Sequence, residues 1–154
     1  MREFKLATMT FMIENSVPLL NVFRTKTDWP FSLEELGAFD SRTLGYAVYQ
    51  LLNSRGLSYL SNYEMHDTYH ALLNYDTTVM HELYLQAFML GNNNATFPGK
   101  VLLIFGLVFF PLSLFRFKEE FQKGRTAKPL RNCDVCIFLP KRLSALRKDL
   151  CIKS

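Results

Sequence analysis

The sequence predicts an all-α protein, a single-domain helical bundle over residues 1–154. Apolar residues recur at intervals of three and four along most of the chain, as in amphipathic helices. Ser, Thr, Gly and Pro, which favour helix ends, separate these stretches, and no segment shows the alternation typical of a strand. With 49% hydrophobic residues, the chain is long and apolar enough to bury one core, which excludes a disordered protein.

The first helices are predicted from their apolar faces and caps. Residues 8–25 place apolar side chains on one face, although Pro18 must kink or divide this helix. Ser32, followed three residues later by Glu35, predicts a capping box for a short helix. A further helix is expected from residues 39–41 onward, and Gly56 is expected to end it.

The later helices are expected at about 58–73 and 77–91, along the apolar segment after residue 99, along the charged segment up to Gln122, and at about 137–150. Asp76 or Thr77 is a suitable N-cap for the helix that begins near residue 77. Gly124 is expected to end the charged helix.

The segment Val101–Phe115 carries no charged residue. It is shorter than the roughly 20 residues that a membrane-spanning helix needs, and Pro111 interrupts it. It is either a buried core helix, or a surface that dips into a bilayer or lines a pocket for an apolar ligand. Basic residues between Arg116 and Lys153 favour an anionic membrane surface or form a solvated helix face; we expect no nucleic acid partner.

All three histidines lie within residues 66–82. His66 and His70 are about one helical turn apart, so their rings share a face, and Asp67 lies at its edge. Glu82 would lie about 18 Å from His70 along one straight helix. Because His70 and Glu82 are equally far from Asp76 in the sequence, an antiparallel helix hairpin would bring them to the same height.

Two imidazoles and two carboxylates suit Zn²⁺, and equally Fe²⁺ or Mn²⁺. Asp67 is either a direct ligand or a carboxylate that orients a ligand histidine. His81 is a further candidate, expected to point about 100° away from Glu82. The alternative is a packed hairpin without metal. Cys133 and Cys136 form a lone CxxC, for which we predict no role.

The spacing His66-Asp67-x-x-His70, eleven residues, Glu82 resembles the signature of the coenzyme Q biosynthesis protein 4 family. The similarity covers about residues 20–152 and includes Ser32-Leu33-Glu34-Glu35-Leu36, Thr43-Leu44-Gly45, Thr77-Thr78-Val79 and Gly124-Arg125. The chain departs from the family at His81, where a small residue is usual.

The resemblance implies an all-helical protein of ubiquinone biosynthesis whose metal, usually zinc, is held by His66, Asp67, His70 and Glu82. The family is implicated in replacing the C1 carboxyl of a polyprenylated benzoate ring with hydroxyl. The implied partners are a polyprenylated quinone precursor or other isoprenoid lipid, the membrane surface and other quinone-biosynthesis proteins, and a homodimer is compatible with them. Arg125 would lie near an anionic head group.

Two functions stay open at this point. The first is a metal-dependent enzyme, and the second is a non-catalytic scaffold that binds prenyl lipids and holds a structural metal. We see no targeting segment at the N-terminus, which fits a bacterial relative and predicts a cytoplasmic protein peripheral to the inner membrane.

Overall fold

The computed structural model describes residues 3, 7–11, 29–58, 63–131 and 133–153. It confirms the all-α prediction, since β structure in these ranges is limited to one isolated bridge between Thr43 and Arg142. Residues 7–11 are helical, and the rest of the helix predicted over residues 8–25 lies outside the described residues. Residues 59–62 of the helix predicted at about 58–73 also lie outside them.

The described helices, numbered in chain order, are α1 (Leu33–Gly37), α2 (Leu44–Asn53), α3 (Glu64–Leu73), α4 (Val79–Gly91), α5 (Phe97–Phe109), α6 (Leu114–Thr126) and α7 (Leu143–Asp149). Two 3-10 turns cover Pro111–Ser113 and Val135–Phe138.

The helix starts show where local sequence signals succeed and where they fail. The predicted capping box of α1 is present, because Ser32 Oγ accepts from the Glu35 backbone N–H and Glu35 Oε2 accepts from the Ser32 backbone N–H at 2.6 Å. The start of α2 was predicted too early: Thr43 caps it, and its hydroxyl accepts from the Tyr46 N–H. Residues 39–41 instead form the approach to this cap.

The start of α4 was also predicted too early. Thr78, rather than Asp76 or Thr77, is the N-cap, and its hydroxyl accepts from the His81 N–H. Asp76 instead accepts from the Thr77 N–H through Oδ1 and pairs with Arg55, which follows α2. Its carboxylate therefore stabilises the turn and does not cap α4.

Gly124 does not end α6, contrary to the prediction; the helix continues to Thr126. A Cβ atom at Gly124 would lie 2.1 Å from the Phe88 carbonyl oxygen on α4. Gly91 on α4 is equally close to α6: a Cβ atom there would lie 2.0 Å from the Phe121 carbonyl oxygen. Both glycines therefore allow the close approach of α4 to α6, and Gly124 does so from inside its helix.

The core has two hydrophobic clusters on either side of α4. The larger one joins α1, α2, α3 and the C-terminal segment, and includes Leu36, Val48 and Leu72. The smaller one lies between α4, α5 and α6 and includes Leu83 and Leu103. Each fully buried aliphatic side chain contributes about 1.5–3 kcal/mol relative to an exposed one, so the α4 side chains of both clusters hold this helix in place.

The apolar segment is not a buried core helix. In α5, Gly99, Leu103 and Gly106 are buried, whereas Ile104 and Val108 are exposed. The predicted interruption at Pro111 is confirmed: α5 ends at Phe109, and the chain bends by 108° before α6. Among the described residues, no one helix has the length and apolar character to cross a bilayer; α5 and Pro111–Thr126 meet these criteria only when taken as a bent pair.

Candidate metal centre

The predicted antiparallel hairpin of α3 and α4 carries the candidate ligands. His66 and His70 lie on α3, and Glu82 lies in the first turn of α4. The chain reverses after Asn74, whose φ of 60° ends α3 in the left-handed region that Asn tolerates better than most residues. The reversal brings together side chains that would be about 18 Å apart along one helix.

His66, His70 and Glu82 form a group whose ligand atoms all lie within 4.8 Å of one another. The Nε2 atom of His70 is 3.0 Å from Glu82 Oε2, and that of His66 is 3.3 Å from Oε1 and 3.2 Å from Oε2 of the same carboxylate. Around a tetrahedral zinc ion with bonds of about 2.0 Å, ligand atoms lie roughly 3.3 Å apart. The distances from each histidine to Glu82 match this value, so the three residues could hold a metal ion.

Asp67 lies outside this three-residue group. Its Oδ1 is 3.8 Å from Nδ1 of His66, the ring nitrogen opposite the one that faces Glu82. Carboxylates in this position commonly orient a ligand imidazole and raise its basicity. The geometry fits the orienting role better than direct ligation, and ligation by Asp67 stays a prediction.

Gln86, which the sequence analysis missed, supports Glu82 directly. Its Nε2 donates to Glu82 Oε1 at 2.7 Å from one turn further along α4. The side chain fits because residue 99 on α5 is a glycine: a Cβ atom there would lie 2.0 Å from Gln86 Oε1. The spacing of four residues after Glu82 was a visible signal, but the role of Gly99 depends on the packing of α5 against α4.

The three side chains influence one another's charge. Burial opposes protonation of His66, but the carboxylates of Glu82 and Asp67 outweigh it and raise the pKa of His66 to about 10. Burial likewise opposes ionisation of Glu82, but the two imidazoles hold the pKa of its carboxyl well below the usual range. Without a metal the site is thus an ion pair, and a metal cation would take the place of the proton.

The His70 ring is held mainly through one nitrogen. Its side chain is only 3% exposed, and Nε2 faces Glu82. Nδ1 is buried, and no described residue forms a hydrogen bond with it. Because a ligand histidine usually donates its other N–H to a protein acceptor, His70 depends on Glu82 and on packing for its orientation.

Arg147 fixes the C-terminal end of α3 from α7. Its Nε donates to the Leu72 carbonyl at 2.8 Å, and its Nη2 donates to the Ala71 carbonyl at 3.0 Å. These carbonyls belong to the last turn of α3, where helical hydrogen bonds are incomplete; that of Ala71 also accepts from the Asn74 N–H at 3.4 Å. Helix α7 thereby positions the helix that carries both candidate ligand histidines.

The other candidate residues lie away from the group. His81 Nδ1 accepts from the Asp76 backbone N–H at 2.7 Å, so its ring faces away from Glu82 as expected. Arg125 is exposed on α6, and a role at a head group stays a prediction. Cys133 and Cys136 are free cysteines.

The comparisons with known proteins bear on the fold. No protein-family model matches the chain, and no curated protein matches it. The chain is similar to the crystal structure of a "Putative ubiquinone biosynthesis protein" from Nostoc punctiforme, with a TM-score of 0.67 and 22% sequence identity. The match covers 99% of this chain and 82% of that one. At this identity the likeness shows that the two chains share a fold.

Proposed function

We propose that this chain is a metal-dependent protein of ubiquinone biosynthesis that acts at C1 of a polyprenylated hydroxybenzoate ring. There the bond from C1 to the carboxyl would break with release of carbon dioxide, and dioxygen would supply the hydroxyl oxygen while its second atom is reduced to water by two electrons from a cellular reductant. The observation that carries the proposal is the group of His66, His70 and Glu82, within 4.8 Å of one another. The fold shared with the Nostoc punctiforme protein and the resemblance of the ligand spacing support it.

The donor set fits zinc, iron or manganese, since imidazole and carboxylate suit all three. Three protein ligands leave at least one position for a substrate atom, the arrangement of catalytic rather than closed structural sites. His66 is 29% exposed, which gives a route from solvent to that position. When bound, the metal would supply Lewis acidity or oxygen chemistry at the ring carbon.

The chain's own residues would keep this site in order. Gln86 holds one oxygen of Glu82 and leaves the other facing His70. Asp67 would orient the His66 ring through Nδ1, the nitrogen that does not face Glu82. The buried His70 would exclude water on the core side of the site.

The exposed apolar side chains around the bend after α5 would bind the prenyl tail and the membrane. Val108 is 68% exposed, Leu112 100% and Phe115 74%. Arg116 and Lys118 follow directly, so the apolar face has cations next to it, as expected of a protein that binds an anionic membrane surface. A location at the periphery of the inner membrane is part of this proposal.

Metal content tests the site first. Purified wild type, His70→Ala and Glu82→Ala are compared by plasma mass spectrometry after circular dichroism confirms that each is folded. His81→Ala is the matched control, because it removes an imidazole from the same hairpin outside the group. We expect about one metal ion per wild-type chain, retained in the control and lost in both ligand variants. Loss in the control as well, or no uptake by wild type, would refute the metal site.

Turnover then tests the chemistry. Formation of the C1-hydroxylated product is followed by mass spectrometry of lipids from cells that rely on this chain. The product should disappear with His70→Ala and Glu82→Ala and persist with His81→Ala. Full product formation by the ligand variants would remove the catalytic proposal even if the metal site exists.

The exposed apolar face favours a second candidate, a prenyl-lipid-binding scaffold in which the metal only pins α3 to α4. Leu112→Asp is compared with Thr126→Asp, an equal charge change at an exposed position of α6. Only Leu112→Asp should abolish flotation with anionic vesicles. If vesicle binding and in vivo function both survive loss of the metal ligands, the scaffold is the better description.

A further inference from the structure

We propose that the chain has a second binding site, for a small phosphate-class oxyanion, in a cavity between the α3–α4 turn, α6 and the C-terminal segment. The cavity has a volume of about 130 Å³. Its lining includes three cationic side chains, Arg116, Lys123 and Lys153, together with His81 and the aromatic rings of Tyr75 and Tyr84. None of these residues belongs to the candidate metal group.

The size of the cavity selects the ligand. A cavity of about 150 Å³ can hold a molecule the size of benzene, so this one has room for one small oxyanion or for the polar end of a larger molecule. Pockets for drug-sized molecules measure about 300–1,000 Å³, so a complete prenyl chain does not fit inside this cavity.

The charge of the cavity favours an anion. Arg116 and Lys123 share the buried carboxylate of Glu120, at 2.9 Å and 3.1 Å, and Arg116 also pairs with the more exposed Glu119. Together with Lys153, three cations thus face two carboxylates, which leaves an excess of one positive charge. Arg116 and Lys123 are partly exposed at the cavity, so their remaining N–H donors can reach a ligand.

The two cations of α6 are already held in place. Glu120 is completely buried, and its Oε2 accepts from the Tyr75 hydroxyl at 2.5 Å. Burial and the neighbouring carboxylate raise the pKa of Tyr75, so this hydroxyl stays protonated and keeps the bond. The guanidinium of Arg116 lies 5.7 Å from the centroid of the Tyr84 ring. Fixed side chains lose less entropy on binding a ligand than mobile ones.

His81 adds a ring N–H donor. Its Nδ1 accepts from the Asp76 backbone N–H at 2.7 Å, so this nitrogen carries no proton. The ring N–H of His81 is therefore on Nε2. A tetrahedral oxyanion would thus find a ring N–H from α4, a guanidinium and an ammonium from α6, and an ammonium from the C-terminal segment.

The test uses the full chain and inorganic phosphate, and follows the ³¹P resonance in a titration. Lys153→Met removes an ammonium and His81→Ala removes the ring N–H, and neither substitution touches Glu120. Lys118→Met and Arg125→Met are the matched controls, since they remove exposed cations of α6 that do not line the cavity. Circular dichroism and metal content are recorded for every variant.

We expect saturable binding of one phosphate per chain, weakened by about tenfold in each cavity variant because a charge-assisted hydrogen bond is lost. The two controls should bind within a factor of about two of wild type. Non-saturable binding, or equal weakening in the controls and the cavity variants, would show that phosphate meets only the general positive charge and would overturn the proposal.

The same titration with benzyl phosphate and with benzoate separates the possible sources of the oxyanion. Equal affinity for inorganic and benzyl phosphate, with weaker benzoate binding, would support a site that takes a phosphate group whether it is free or on a larger molecule. Tighter binding of benzoate than of phosphate would overturn the proposal that the ligand is a phosphate-class oxyanion. These outcomes do not depend on turnover or on a metal, so failure of this site and failure of the proposed function are distinguishable.

Discussion

Gly99→Ala tests the support of the metal site from a position that is not itself a candidate ligand. In the wild type, a Cβ atom at residue 99 would lie 2.0 Å from Gln86 Oε1 and 2.9 Å from its Cδ. Ordinary carbon contacts begin near 3.5 Å, so the amide must retreat by more than about 1 Å. The 2.7 Å hydrogen bond from Gln86 Nε2 to Glu82 Oε1 would then be lost.

The expected magnitude follows from that one bond. A hydrogen bond to a charged group is worth about 1.5–3 kcal/mol, which corresponds to roughly a 10–100-fold loss of zinc affinity. Global stability should change little, because Ala gains about 1 kcal/mol over Gly in helix propensity and partly offsets the displacement of Gln86. Competition with a chromophoric chelator measures the affinity, and urea unfolding of the metal-free protein measures the stability.

A double-mutant cycle isolates the mechanism. Gln86→Leu removes the amide, so Gly99→Ala should have no further effect on zinc affinity in that background. Gly106→Ala is the matched control on the same helix, since its Cβ would crowd the flexible, apolar side chain of Leu83 at 2.6 Å. The reasoning is refuted if Gly99→Ala binds zinc as wild type does, or if it weakens binding equally with and without Gln86.

The remaining predictions concern charge, packing and pH. Asp67→Asn should lower zinc affinity by about tenfold yet leave one ion bound; complete loss of metal in elemental analysis would instead make Asp67 a direct ligand. Gly124→Ala should destabilise the fold by about 3 kcal/mol, because the clash is with the backbone oxygen of Phe88; an unchanged urea midpoint would contradict the close contact of α4 and α6. Arg147→Met should lower the free energy of unfolding by about 1.5–3 kcal/mol and speed hydrogen exchange in the last turn of α3. Unchanged exchange there would contradict a stabilising role of the hydrogen bonds from Arg147. Zinc affinity should rise with pH, by up to about tenfold per pH unit below the His66 pKa of about 10, since the ion must displace the ring proton. Chelator competition at two pH values measures this change, and an affinity that does not vary with pH would contradict displacement of the proton.

Local signals in the sequence were sufficient for much of the fold. The capping box at Ser32 and Glu35 and the interruption at Pro111 were both predicted correctly. They depend on hydrogen bonds or steric clashes between residues a few positions apart. Helix starts at Thr43 and Thr78 were misplaced by a few residues, because several neighbouring residues offered equally good caps.

Part of the candidate site was also readable in advance. The equal spacing of His70 and Glu82 about the turn predicted that they would meet, and the structure brings them together with His66. The same spacing could not decide the position of Asp67, because a carboxylate next to a ligand histidine can face either the ion or the ring.

The sequence by itself therefore determined the all-α class, the turn between α3 and α4 and the meeting of His70 with Glu82, since these depend on periodicity and on one turn. Only the tertiary structure decided the surroundings. Gly124 was read as a helix end, but in the fold it serves the contact of α4 with α6. The space for Gln86 comes from a glycine on another helix, and Glu120 gains its partner Tyr75 from 45 residues away. Such contacts join distant parts of the chain, so no local pattern records them.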